Sequence, residues 1–96
     1  MKLFISADIE GCVGTTLASE THKETPEYRQ FAKRMTDEVR IVCQAALEAG
    51  ADEIVVKDGH GDATNIDFTA MPEGVTLIRG KSGHPYNMMF GLDETF

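Results

Sequence analysis

Three side chains in this sequence are best suited to chemistry: the carboxylates of Asp8 and Glu10, two residues apart, and the imidazole of His60. The first two stand in Asp8-Ile9-Glu10-Gly11 and the third in Asp58-Gly59-His60-Gly61, and each segment directly follows an apolar run. Oxygen and nitrogen donors of this kind suit Zn²⁺ or a similar divalent cation, and a carboxylate shared by two ions suits a two-metal hydrolase. In extended backbone Asp8 and Glu10 point to the same side with Cα atoms about 6.5–7 Å apart, so both reach one centre. Carboxylates so close raise the local negative potential, which costs free energy until a cation or hydrogen-bond donors neutralise it. The competing reading is a pair of ordinary strand-to-helix loops, with Asp8 capping a turn and His60 simply exposed between two glycines.

Convergence depends on the elements that carry these segments. Leu3-Phe4-Ile5 and Ile54-Val55-Val56 are short continuous apolar runs, the pattern of parallel strands covered on both faces. Between them Tyr28, Phe31, Met35, Val39, Val42, Ala46 and Ala49 recur at steps of three and four, which draws one apolar stripe along a helix. Thr25 is expected to cap it, Pro26 to take the first helical position, Glu27 to complement the positive end, and Gly50 to adopt the left-handed C′ conformation. The result is a βαβ crossover whose strands run in parallel and deliver Asp8 and His60 to the same sheet edge, where open α/β folds place ligands. Val75–Ile78 reads as a third strand, Asn65–Ala70 as a short helix or irregular crossover, and Tyr86–Leu92 as a short amphipathic helix. The expected fold is therefore α/β: a three-layer open sheet, mostly parallel, built from βαβ units, with residues 1–96 forming part of a single domain and at least one sheet edge unpaired.

Composition narrows the partners. The formal charge of −7, from 16 acidic against 9 basic side chains, disfavours nucleic acid and anionic membrane surfaces, because phosphate binding is driven mainly by Lys and Arg. No apolar run approaches the roughly 20 residues of a membrane span, and Met1-Lys2 leads straight into a strand without a secretory signal, so a cytoplasmic location is expected. Cys12 and Cys43 form no Cys-x-x-Cys pair and are expected to be reduced thiols. At this length roughly two-thirds of the unfolded surface can be buried, a modest core with little margin.

Three landmarks occur together: the opening Met1-Lys-Leu-Phe-Ile-Ser-Ala-Asp8-Ile-Glu10-Gly11-Cys-Val-Gly14, the stretch Val55-Val-Lys-Asp58-Gly-His60-Gly61, and the closing Gly91-Leu-Asp-Glu-Thr-Phe96. In this order they resemble the zinc D-aminopeptidases of peptidase family M55. The resemblance covers about the N-terminal third of a family member. It implies that Asp8 bridges two Zn²⁺ ions, Glu10 completes one ion's sphere and His60 ligates the other, while a further histidine, a glutamate and the catalytic histidine lie beyond Phe96. It also implies an aminopeptidase that removes N-terminal D-residues from short peptides, ring-like homo-oligomers, and for these 96 residues alone, weak or single-ion binding without useful turnover.

The remaining candidates have smaller roles. Asp58 is expected either to orient the His60 imidazole as an acceptor or to cap a local turn. Gly11 and Gly14 serve either close backbone approach to an ion or plain turns. His22 and His84 read as solvated loop residues, Cys12 as a loop thiol with no flanking base, and the five methionines as filler of the core or an interface. No Gly-x-Gly-x-x-Gly or phosphate-cradling loop is present. Asp8-Ile-Glu10-Gly is also similar to the strand-end motif of Mg²⁺-dependent phosphatases of haloacid-dehalogenase type, with Asp8 as nucleophile, although that chemistry has no use for His60. A non-catalytic oligomerisation module is the third reading.

Overall fold

The strands form where the apolar runs lie. In the computed structural model, which describes residues 1–96, β1 (Lys2–Ala7), β2 (Glu53–Asp58) and β3 (Val75–Ile78) make one parallel sheet in the order β1-β2-β3. The register pairs Ala7 with Asp58, so the residues that follow each strand leave the sheet at the same edge. Both β1 and β3 are edge strands.

A single long helix, α1 (Tyr28–Glu48), provides the crossover between β1 and β2. It starts later than the cap signals suggest. The Thr25 hydroxyl donates to the carbonyls of Ser19 and His22, so it is committed to the preceding loop, and Pro26 and Glu27 belong to a turn ahead of the first helical residue. The C-terminal signal holds: Gly50 has φ +94°, its N–H donates to Leu47 O at 3.0 Å, and Ala51 N–H donates to Ala46 O at 2.9 Å, the paired bonds of a Schellman motif.

The buried row of α1 is Ala32, Met35, Thr36, Val39 and Cys43. Val42 and Ala49 of the expected stripe are exposed. Cys43 lies four residues after Val39 and eight after Met35, so it continues the row that faces the sheet, whereas Val42 sits about 100° round the helix from it. Against this row pack Ala7, Ile54 and Val56, together with Ile9 and Ile66 from the loops after β1 and β2.

Alternation sends Phe4, Ser6, Val55 and Lys57 to the opposite face. The segment after β3 covers them: Phe96 meets Phe4 edge-on with ring centroids 5.6 Å apart, and Ser6 Oγ donates to Met88 O at 2.9 Å. This third layer is not the expected helix. Only Asn87–Met89 complete a 3-10 turn, because Asn87 at φ +45° and Gly91 at φ +104° take left-handed conformations that an α-helix cannot accommodate. A Cβ at Gly91 would stand 2.6 Å from Ile78 Cδ1, so a side chain there would also displace that methyl group. Between β2 and β3 the crossover is irregular, with one 3-10 turn at Phe68–Ala70. No helix is long and apolar enough to cross a membrane.

Candidate metal centre

Asp8 follows β1 in extended conformation, and the chain then turns instead of continuing straight: Ile9–Gly11 form a 3-10 turn closed by Gly11 N–H to Asp8 O at 3.2 Å. Asp8 and Glu10 therefore converge around a turn, not along the extended backbone expected from their spacing. Ile9 explains why. Its side chain is wholly buried in the core, which pins the centre of the turn and leaves the flanking carboxylates outside it.

His60 arrives from the loop after β2. Its Nδ1 lies 3.1 Å from Asp8 Oδ1 and 3.0 Å from Glu10 Oε1, and one donor atom from each of the three residues falls within 4.8 Å of the others. The other ring nitrogen, Nε2, is 2.6 Å from Thr21 O. A carbonyl oxygen only accepts, so Nε2 carries a proton and Nδ1 faces the carboxylates. Nδ1 can then do one of two things: hold a second proton shared with the carboxylates, or aim its lone pair at a cation between them.

Electrostatics at the cluster follow from this crowding. Burial pushes the His60 imidazole pKa down, yet the Thr21 carbonyl and the Glu10 and Asp8 carboxylates outweigh it, and the net direction is up from 6.5. Asp8 is raised, first by burial and then by Glu10, whereas Glu10 is lowered, chiefly by the hydrogen bond from Asp8. A proton on this pair thus resides on Asp8. Such a cluster attracts positive charge.

The loop that presents His60 is built on Asp58. That carboxylate is fully buried and accepts from Asn65 N–H (2.7 Å), Asn65 Nδ2 (2.9 Å), Ile66 N–H (2.8 Å) and, more distantly, His60 N–H (3.4 Å). Asp58 does not touch the imidazole; of its two expected roles, the local turn is the one observed. Asn65 extends the scaffold, donating from Nδ2 to His60 O at 2.6 Å and accepting from the Tyr28 hydroxyl at the start of α1. Gly59 is required where the loop crosses β1: its N–H donates to Ala7 O at 2.8 Å, and a Cβ would stand 2.9 Å from that same oxygen.

Other candidates lie outside the cluster. Gly11 and Gly14 face open space and are turn glycines, Gly14 with φ +89°. Both cysteines are free thiols, and burial, reinforced by Glu38, pushes the Cys12 pKa up to about 12, which keeps it an unreactive thiol. His22 is exposed, and exposed His84 accepts Tyr86 N–H and packs against the rings of Tyr86 and Phe90. The largest hollow, about 620 Å³, lies by the start of α1 among Lys23, Tyr28 and Arg29 and contains none of the three donors. A cleft of about 370 Å³ does reach His60, between Thr21, Glu24 and Asp62, and no hydrophobic residue lines it.

The sequence model of the D-aminopeptidases, peptidase family M55, matches residues 1–96. Among solved structures the chain is similar to the Zn-dependent D-aminopeptidase DppA from Bacillus subtilis, described as a self-compartmentalizing protease, at TM-score 0.93 and 30% identity. That similarity covers 100% of this chain and 35% of the other, so the chain spans about a third of that relative's length. No curated protein matches it.

Proposed function

Because this chain belongs to the D-aminopeptidase family of peptidases, M55, we propose that Asp8, Glu10 and His60 are its contribution to the zinc site of an aminopeptidase that removes N-terminal D-residues from short peptides. The observation that carries this reading is the His60 ring, with Nε2 committed to Thr21 O and Nδ1 placed between two carboxylates. Two oxygens and one nitrogen within 4.8 Å of one another fit a catalytic zinc, which takes three protein donors and keeps an open position. In the complete site, Asp8 is proposed to be shared by two ions, with Glu10 and His60 each serving one.

Bound zinc supplies Lewis-acid charge that polarises a scissile carbonyl and acidifies water. The chain's own residues do the positioning. Thr21 O fixes the His60 tautomer, Ile9 anchors the turn that aims both carboxylates, and the polar cleft between Glu24 and Asp62 suits a peptide's main chain and amino terminus better than an apolar group. Family membership sets aside the phosphatase reading, and the placement of His60 against Asp8 gives that side chain a use which phosphoryl transfer would not.

After dialysis, the wild-type chain is expected to retain more zinc than Asp8→Asn, Glu10→Gln or His60→Ala, measured by elemental analysis. Equal zinc in all four overturns the assignment. Cleavage of D-Ala peptides is expected from a longer polypeptide that supplies additional donors, and not from residues 1–96.

Self-association is proposed as well. Two unpaired strand edges and exposed Val13, Leu17, Ile41, Val42 and Phe68 support it, since such edges and side chains favour association. Sedimentation velocity is expected to show a species heavier than one chain, and a monomer at every concentration would refute it.

A further inference from the structure

Lys57 is the largest side chain that this fold encloses completely, 1% exposed, and it takes part in none of the chain's ion pairs. Burying a lysine amine without a carboxylate is costly, because the charged group loses its hydration and gains no opposite charge in return. An apolar side chain of similar volume generally serves stability as well or better. Stability alone is therefore a poor explanation for lysine at this position.

Its two partners suggest another. Nζ donates to Asp58 O at 2.6 Å and to Gly80 O at 3.3 Å. Gly80 in turn donates its N–H to Ala63 O at 2.6 Å. The loop that carries His60 begins at Asp58 and reaches Ala63, so both its ends are tied to one residue just beyond β3, the first end through Lys57. From the opposite face of the sheet, the Asp58 carboxylate accepts from His60 N–H at 3.4 Å and, just past Ala63, from the N–H groups of Asn65 and Ile66. Neighbouring side chains of opposite polarity thus hold the loop from its two faces, Lys57 by the carbonyl at its start and Asp58 by the His60 amide and the amides that follow Ala63.

We propose that Lys57 is a positioning residue for His60, its amine fastening the 58–63 loop to Gly80 so that the imidazole is presented to Asp8 and Glu10. The consequence for zinc rests on the metal reading above; the placement of the ring does not.

Lys57→Met is expected to unfold at the wild-type temperature or above. Its metal-free ¹H–¹⁵N spectrum is nevertheless expected to show a His60 ring that has left Thr21 O and the two carboxylates. Zinc affinity, measured by competition with a chromophoric chelator, is expected to fall about tenfold or more, the usual effect of removing a support behind a ligand. Lys57→Arg, which keeps donors on the same face, should recover most of that loss. A Lys57→Met chain with wild-type ring signals and zinc affinity within about twofold of wild type overturns the proposal. Should Lys57→Met fail to fold, Lys57→Leu, which likewise offers no donor, carries the same two readings. If wild type binds no zinc, the metal reading fails separately, and the ring signals alone decide whether Lys57 places His60.

Discussion

Asp58→Ala is expected to lower stability by at least roughly 3 kcal/mol, a large part of what a domain of this size possesses. The Asp58 carboxylate is wholly buried and holds three well-placed N–H donors within 2.9 Å. Truncation leaves the Asn65 and Ile66 N–H groups without a partner and Asn65 Nδ2 with His60 O alone, and each buried unsatisfied donor costs about 1–3 kcal/mol. Asp58→Asn keeps one acceptor oxygen but turns an NH₂ group toward donors, so it is expected to fall between alanine and wild type. The urea midpoint at unchanged m-value measures both changes. A midpoint for Asp58→Ala within the range of surface substitutions, about 0.5 kcal/mol, would show that water or a rearranged loop satisfies those groups.

Zinc affinity is expected to fall about tenfold per pH unit once the pH drops below the His60 pKa, because ligation requires the Nδ1 lone pair that a proton would occupy. The metal-free chain should behave in the opposite sense. His60 has a folded-state pKa above its ordinary 6.5, so its contribution to stability is fully present below 6.5 and is lost as pH rises through the folded value. Asp8 is raised and Glu10 lowered from ordinary carboxylate values of 3.8 and 4.5, so the window that opens at 6.5 is assigned to His60, and the His60→Ala chain separates its part. Thermal unfolding with and without zinc tests both halves: without metal, stability declines from pH 6.5 upward, and with zinc it rises over the same interval. A His60→Ala chain should show neither trend. Parallel curves for wild type and His60→Ala would remove His60 from the site.

The convergence of Asp8, Glu10 and His60 was legible because it needs only two parallel strands in adjacent register, and the apolar runs at Leu3–Ile5 and Ile54–Val56 specify those strands. The Gly50 terminus was legible for a similar reason, since a left-handed C′ residue is a local requirement. Thr25 shows the opposite case. Its hydroxyl had two possible uses, and the loop carbonyls of Ser19 and His22 took it. The Tyr86–Leu92 run had helical spacing, but two left-handed residues and packing against β1 and β3 reduced it to one turn.

By itself, the sequence determined the strands, the long helix, the α/β class and the three residues that meet, because each depends on short-range periodicity or on chain direction. Only the tertiary structure decided what surrounds them. Thr21 contributes a main-chain oxygen, which every residue possesses and no spacing can single out. Asp58 turned its carboxylate to the loop backbone, and Lys57 is buried with its amine on Gly80 O, 23 residues later in the chain. Periodicity specifies which face of an element a side chain occupies. What lies against that face is set by contacts between residues distant in the chain, and it is those contacts that convert three donors at a sheet edge into a site of defined tautomer and charge.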